Sequence, residues 1–204
     1  MSEANEVYIF VKRKIEELDR ENNSHSRASL AKLRRAIGKS PGESPDIWDI
    51  TIQGAPETWD SYNGNPSRAE WAVHTALTLY ALHRQGKDKT MSDEKVSSFG
   101  AAVSHLKSSS PDDDNTAITR RFNAVATATD FNELAHHARG IVQLLKNAGV
   151  GMDYPKFAQD LYYFQTNEGA NRVRLRWGEA FYRVTISDKQ ADNQTKTEKG
   201  NEEQ

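Results

Sequence analysis

One stretch decides what this chain can fold into. Asn171–Val184 is the one segment with a strand signal, so the fold class turns on how it is read. Val173, Leu175 and Trp177 alternate with Arg172, Arg174 and Arg176, which over a short window suggests a half-buried strand. Over a longer window Val173, Trp177, Ala180, Phe181 and Val184 fall at i, i+4, i+7, i+8 and i+11, all matching one face of a helix. That helix stacks Arg172, Arg176 and Arg183 within about 40° of one another. The longer window prevails, and the segment reads as helix.

With that segment assigned, the remaining apolar residues recur at helical spacing. Residues 3–20 place Val7, Phe10, Val11, Ile15 and Leu18 on one face. A polar break at 21–25 leads to a helix from about Ser26 to Ile37, with Gly38 as its C-cap. Residues 39–65 carry three prolines and the aromatics Trp48, Trp59 and Tyr62, and read as an irregular loop with at most one helical turn. Asn65-Pro66-Ser67 then opens a helix, with Ser67 and Glu70 spaced as a capping box. Its body from Trp71 to Leu82 is apolar on most sides, the pattern of a central helix. Further helices are expected around Val96–Leu106, Ile118–Val125, Leu134–Leu145 and Phe157–Phe164.

The expected fold is all-α: two packed helical bundles of about seven to nine helices, with no substantial sheet. Residues 1–110 form the N-terminal half, 111–186 the C-terminal bundle, and 187–204 a polar tail whose composition predicts disorder.

Composition excludes several classes. No run approaches the ~18 uncharged apolar residues of a membrane span, and Met1-Ser-Glu-Ala-Asn-Glu lacks the apolar core of a signal peptide. The chain has no cysteine, so disulfides and thiolate metal sites are out, which suits a cytoplasmic protein. The net charge of −2 does not announce a nucleic-acid binder, but the charges are sorted along the chain. Residues 22–42 hold five Lys or Arg and no acid. Residues 115–129, 134–152 and 169–178 are also acid-free and basic, while acids gather at 43–60 and 112–114.

The arginines stand clear of the core stripes. Arg27, Arg34 and Arg35 share a flank of the second helix, each of the other two within about 80° of Arg27 by helical geometry. Arg120 points roughly opposite the Ile118, Phe122 and Val125 stripe, whereas Arg121 sits about 60° off its centre and is expected to be the better held of the pair. Arg139 lies on the wet face of its helix. A charged helix face is usually only solvated, but repetition over four segments favours a phosphate ligand, which the planar guanidinium fork suits. No helix-turn-helix, zinc finger or RNP aromatic pattern accompanies these residues. The residues alone therefore describe a helical protein that grips phosphate backbone without reading sequence.

Catalytic signals are poor. His136 and His137 are adjacent, so a helix sends them apart, unlike the i, i+4 pair of an HExxH site. Gly149-Val-Gly151 is weaker than a dinucleotide fingerprint, no Walker motif occurs, and no cofactor is expected. Asp112–Asp114 reads as a solvated acidic loop. A metal-dependent hydrolase using His136, Asp112–Asp114 or Asp153 is the least supported reading. A helical scaffold whose arginines meet acidic protein partners, with Trp48 and Trp59 as contacts, is the stronger alternative.

Six segments occur in a telling order: Arg34-Arg35, Gly100-Ala-Ala-Val-Ser-His-Leu106, Arg120-Arg-Phe122, Glu133-Leu134…Arg139…Leu144-Leu145, Met152-Asp-Tyr154…Asp160-Leu-Tyr162, and Val173-Arg-Leu-Arg-Trp-Gly178…Phe181. Together they resemble the CasB family, the small subunit of the type I-E CRISPR surveillance complex Cascade, over roughly residues 5–185. The 48–65 loop and the polar tail fall outside the resemblance. It implies an all-helical, two-bundle subunit without catalytic activity, present as two head-to-tail copies beside the backbone and large subunits. It also implies contact with guide RNA (crRNA) and target DNA through basic residues that help hold the R-loop open. The matching basic positions are Arg34, Arg35, Arg68, Arg121 and Arg139, with Arg172, Arg174 and Arg176 matching more loosely. Exchanging a DNA duplex for an RNA–DNA hybrid is close to balanced, so modest backbone contacts suffice to tip it.

Overall fold

The computed structural model describes residues 1–20, 24–61, 63–107 and 113–200, with side chains at all of these except 113–114 and 184–200. Nine α-helices are present among them, one a single turn, and no strand. Helix α1 spans Glu3–Arg20, with Glu3 and Glu6 in its first turn and Arg20 in its last, both favourable to the helix dipole. Its buried face holds Val7, Phe10, Val11, Ile15 and Leu18, as the spacing predicts. Helix α2 is Ser24–Arg35. It ends two residues before Ile37, and Gly38 then turns the chain at φ +80°, a value glycine adopts without a Cβ clash.

The 39–65 loop has more order than its composition suggests. It holds three 3-10 turns (Pro41–Glu43, Pro45–Ile47, Glu57–Trp59) and the one-turn helix α3, Trp48–Thr51. Trp59 pins it, buried edge-on to Phe10 at 5.4 Å. Arg13 adds a hydrogen bond to the Gly54 carbonyl at 3.0 Å, and the turns of the loop lie against the second helix and the helix that follows the loop.

Helix α4, Arg68–Arg84, is the central element. Ser67 and Glu70 form the expected capping box, and the helix is buried on nearly every side against α1, α2, α7 and α8. Helix α5 covers only Phe99–Ser104, shorter than the spacing from Val96 suggests, because Ser98 caps it and Val96 lies in a preceding turn. Helices α6 (Asp113–Ala126) and α7 (Phe131–Ala148) pack on each other. Helix α8 is Tyr154–Phe164, started by Asp153, whose carboxylate accepts from the Lys156 amide. A single bridge between Ser92 and Met152 ties the loop after α4 to the turn before α8.

Helix α9 begins at Asn167 and contains the whole 171–184 segment, so the helical reading holds. Its backbone stays helical to Gly200, over most of the stretch whose composition suggested disorder. Lys, Gln and Glu are good helix formers, so polarity alone does not forbid this. Residues 201–204, and residues 108–112 around the expected boundary between the two halves at 110/111, lie outside the described residues.

The two halves share one core. Helix α8 lies against α1 and α4, and Gln159 donates to the Ala4 carbonyl at 3.4 Å across 155 residues of chain. One cluster of buried side chains runs from Ala4 to Phe181. Helices α5 and α9 cross at Gly100, where a Cβ would overlap the Trp177 carbonyl oxygen and come within 2.7 Å of its carbon.

Two measurements test this packing. Gly100→Ala should destabilise the protein by about 2–3 kcal/mol in urea unfolding, as overpacking does. The same change at Gly178, where nothing lies within 4 Å of an added Cβ, should stabilise by about 1 kcal/mol through helix propensity. Between α4 and α8, His83 is fully buried with Nδ1 3.0 Å from the Tyr154 hydroxyl, and burial drops its pKa from 6.5 to about 4. The unfolded chain therefore takes up a proton below pH 6.5 that the folded one refuses. Stability from this residue should be complete above pH 6.5 and fall by roughly 3 kcal/mol as pH drops towards 4. The difference between wild type and His83→Gln across that window reads it out.

Candidate nucleic-acid interface

The arginines that look alike in the sequence have different situations in the fold. Arg176 is a core fastener. Its Nη2 donates to Oδ1 of Asp160, a carboxylate with no solvent exposure. The indole Nε1 of Trp177 donates to Oδ2 at 2.6 Å, and Lys156 lies 3.7 Å from Oδ1. Burial pushes the Asp160 carboxyl above its ordinary pKa. The charges of Arg176 and Lys156 and the hydrogen bonds from Trp177 and Arg176 oppose that rise. The ion pair thus offsets a desolvation cost and adds little surplus. The bond fixes the guanidinium while leaving the Arg176 side chain 41% exposed.

Arg174 is also tied down, donating to the Ala128 carbonyl at 2.7 Å and to Asn171 at 3.3 Å, with its guanidinium 4.9 Å from the Phe164 ring centre. Arg34 is half-buried and reaches the Ala81 carbonyl at the end of α4 at 3.5 Å. Burial, then the neighbouring Arg35 charge, lowers its pKa, but a guanidinium keeps its proton in proteins. Arg35 itself is exposed and faces Asp46 at 3.7 Å, a solvated pair of small energetic weight.

Two exposed arginines are braced by adjacent tyrosines. Arg68 donates to the Tyr162 hydroxyl at 3.0 Å and lies 4.8 Å from that ring's centre. Arg172 lies 5.8 Å from the Tyr163 ring centre. The start of α4, the end of α8 and the start of α9 therefore gather Arg68, Arg172 and Arg174 at one corner. Stacking of this kind holds a guanidinium while leaving most of its donors for an anion.

Arg120, Arg121 and Arg139 form the third class. All three are exposed, and none makes an ion pair or hydrogen bond with another described residue. The expected distinction between Arg120 and Arg121 does not survive, because both project from α6 into solvent. Arg27 is likewise exposed on α2. Arg139 borders a cleft of about 440 Å³ between the α2 C-terminal turn, α4 and α7, which Lys39 shares.

Trp59 is in the core and cannot serve as a partner contact, whereas Trp48 is 42% exposed. Among the described residues no three His, Cys, Asp or Glu side chains gather as metal ligands, and Asp112 lies outside them. Among the described residues no helix is long and apolar enough to cross a membrane. The Asp160 partnership escaped sequence reasoning because the acid sits 16 residues before Arg176.

Comparison with known proteins places this geometry in context. The model of the CRISPR-associated protein Cse2 family matches residues 29–182. The crystal structure of CasB from Thermobifida fusca is similar, with 33% identity and a TM-score of 0.73 over 87% of this chain and 98% of that one. CasB from Thermus thermophilus is 21% identical, with a TM-score of 0.62 over 89% of this chain and 99% of the other. A chain of a CRISPR RNA-guided surveillance complex shares the fold at 15% identity, with a TM-score of 0.68 over 92% and 99%. No curated protein matches the chain in sequence.

The sorting of arginines is measurable as stability. Arg176→Ala should cost roughly 3 kcal/mol by stranding a buried carboxylate, while Arg120→Ala and Arg121→Ala should each stay within about 0.5 kcal/mol of wild type in urea unfolding.

Proposed function

The chain belongs to the CRISPR-associated Cse2 family, and on that premise we propose that it is the non-catalytic small subunit of a type I-E Cascade surveillance complex. In this role it sits beside the backbone and large subunits, contacts a second copy of itself head to tail, and touches guide RNA and target DNA without reading their sequence. The observation that carries the nucleic-acid part is the set of exposed, unengaged arginines Arg120, Arg121 and Arg139 on a protein of net charge −2. Tyrosine-braced Arg68 and Arg172 extend that surface, with Arg27 and Arg35 at its α2 edge. Arg34, Arg174 and Arg176 are partly exposed and each is tied to the fold by a partner of its own.

The physical case is one of small, additive terms. Each phosphate neutralised releases counterions, so affinity falls steeply with salt. Formation of an R-loop exchanges one duplex for another of similar stability, and a few backbone contacts bias it. A near-neutral subunit contributes such contacts only when an assembly holds it in place.

A second reading makes the protein a helical scaffold for acidic protein partners, and exposed Trp48 is the observation favouring it. It requires no nucleic-acid binding at low salt and loss of the partner on Trp48→Ala.

The complex carrying Arg35→Glu and Arg121→Glu should assemble normally yet form R-loops less efficiently. Its salt-dependence slope for target DNA should drop by about 2 if both residues meet phosphates. Wild-type R-loop yield from a correctly assembled double variant would sink the assignment.

A further inference from the structure

The cleft between α2, α4 and α7 has the features of a nucleotide site. Its volume of about 440 Å³ falls in the range of roughly 300–1,000 Å³ usual for small-molecule pockets. Ile37, Leu79 and half-buried Trp71 give it apolar walls, while Lys39 and Arg139 give it charge. Neither cation pairs with a described acid. The one carboxylate nearby, Glu43, accepts from the Ser40 amide at 2.6 Å and is already occupied.

The lining also includes an unsatisfied acceptor. His74 is 2% exposed, and its Nε2 lies 3.3 Å from the Ala36 carbonyl. A carbonyl oxygen only accepts, so Nε2 carries the proton. Burial lowers the pKa of the ring, opposed by the Ala36 and Lys39 backbone and by the Glu43 charge. Nδ1 is therefore a bare lone pair, buried and without a hydrogen-bond partner among the described residues. Buried acceptors of this kind are uncommon and mark a place where a donor belongs.

A flat apolar wall, one acceptor and two cations together select for a planar heterocycle with an N–H donor and an anionic tail. We infer that this cleft binds one unpaired nucleotide, its base against Trp71 and within reach of His74, its phosphate on Lys39 and Arg139. The inference rests on the nucleic-acid reading above and deepens it, since the same chemistry is offered by a splayed base of a single strand or by a free mononucleotide. A base inside a duplex cannot enter, because it is paired and stacked.

The test uses the full chain labelled at its histidine and tryptophan nitrogens, titrated with AMP, a short oligodeoxyadenylate single strand, and the corresponding duplex. The His74 Nδ1 and Trp71 Nε1 signals should shift with the single strand and with AMP, and stay put with duplex. His74→Phe, which removes the acceptor at similar volume, should weaken AMP binding roughly fivefold, the loss of one hydrogen bond. Lys39→Ala, at an exposed position, gives the same readout without disturbing the core. Equal shifts with duplex would overturn the inference and make the cleft a groove for backbone phosphate. Single-strand binding with silent cleft signals would overturn it too, while leaving the nucleic-acid reading intact. Shifts with AMP and none with the oligonucleotide would uphold the cleft as a free-nucleotide site and overturn its part in gripping a strand.

Discussion

A buried carboxylate holds the C-terminal part of this fold in place. Asp160 sits without solvent exposure on α8, and α9 is fastened to it by two consecutive residues, Arg176 and Trp177. Because a lone buried charge is untenable, the arrangement fixes the rotation of α9 about its axis. That rotation puts the Trp177 ring against Phe99, Phe157 and Phe164 and brings its backbone onto Gly100. The same rotation settles which α9 arginines face outward. Asp160 thus connects core packing to the surface, and the exposed chemistry of α9 depends on a carboxylate that no solvent reaches.

Much of the architecture was legible in periodicity, and the reasons are local. The bounds of α1 follow from its apolar spacing, and the Ser67/Glu70 box from two side chains three residues apart. The 171–184 segment was legible only because its window was long enough for the two periods to diverge. The fates of the arginines were not legible. Arg172, Arg174 and Arg176 share one acid-free segment, yet one is braced by Tyr163, one by a carbonyl and an aromatic ring, and one by Asp160. An acid-free stretch shows that no partner is near in sequence and says nothing about partners brought in by packing. Trp59 illustrates the same limit: its loop has no period, so its burial against Phe10 depends on tertiary contact alone.

Graded tethering gives the surface a useful property. An unbraced side chain such as that of Arg121 loses its full rotamer freedom on meeting a phosphate, at a cost of up to roughly 2 kcal/mol. A guanidinium resting on a tyrosine face has already lost part of that freedom. Arg68 and Arg172 can therefore hold a fixed geometry, while Arg120, Arg121 and Arg139 adapt to wherever the backbone runs. A ligand that is an irregular polyanion favours both kinds at once.

The contact of α1 with α8 has a consequence during synthesis. Chains emerge from the ribosome N-terminus first, and domains generally fold as units. Here Ala4 hydrogen-bonds Gln159, and the apolar face of α1 is completed by a helix that ends at Phe164. Until that helix has been translated, Val7, Phe10 and Val11 have only part of their covering. The core around α1 therefore cannot close before α8 has emerged. The nascent chain must carry the sticky face of α1 until then, a window in which early chaperone engagement would protect it.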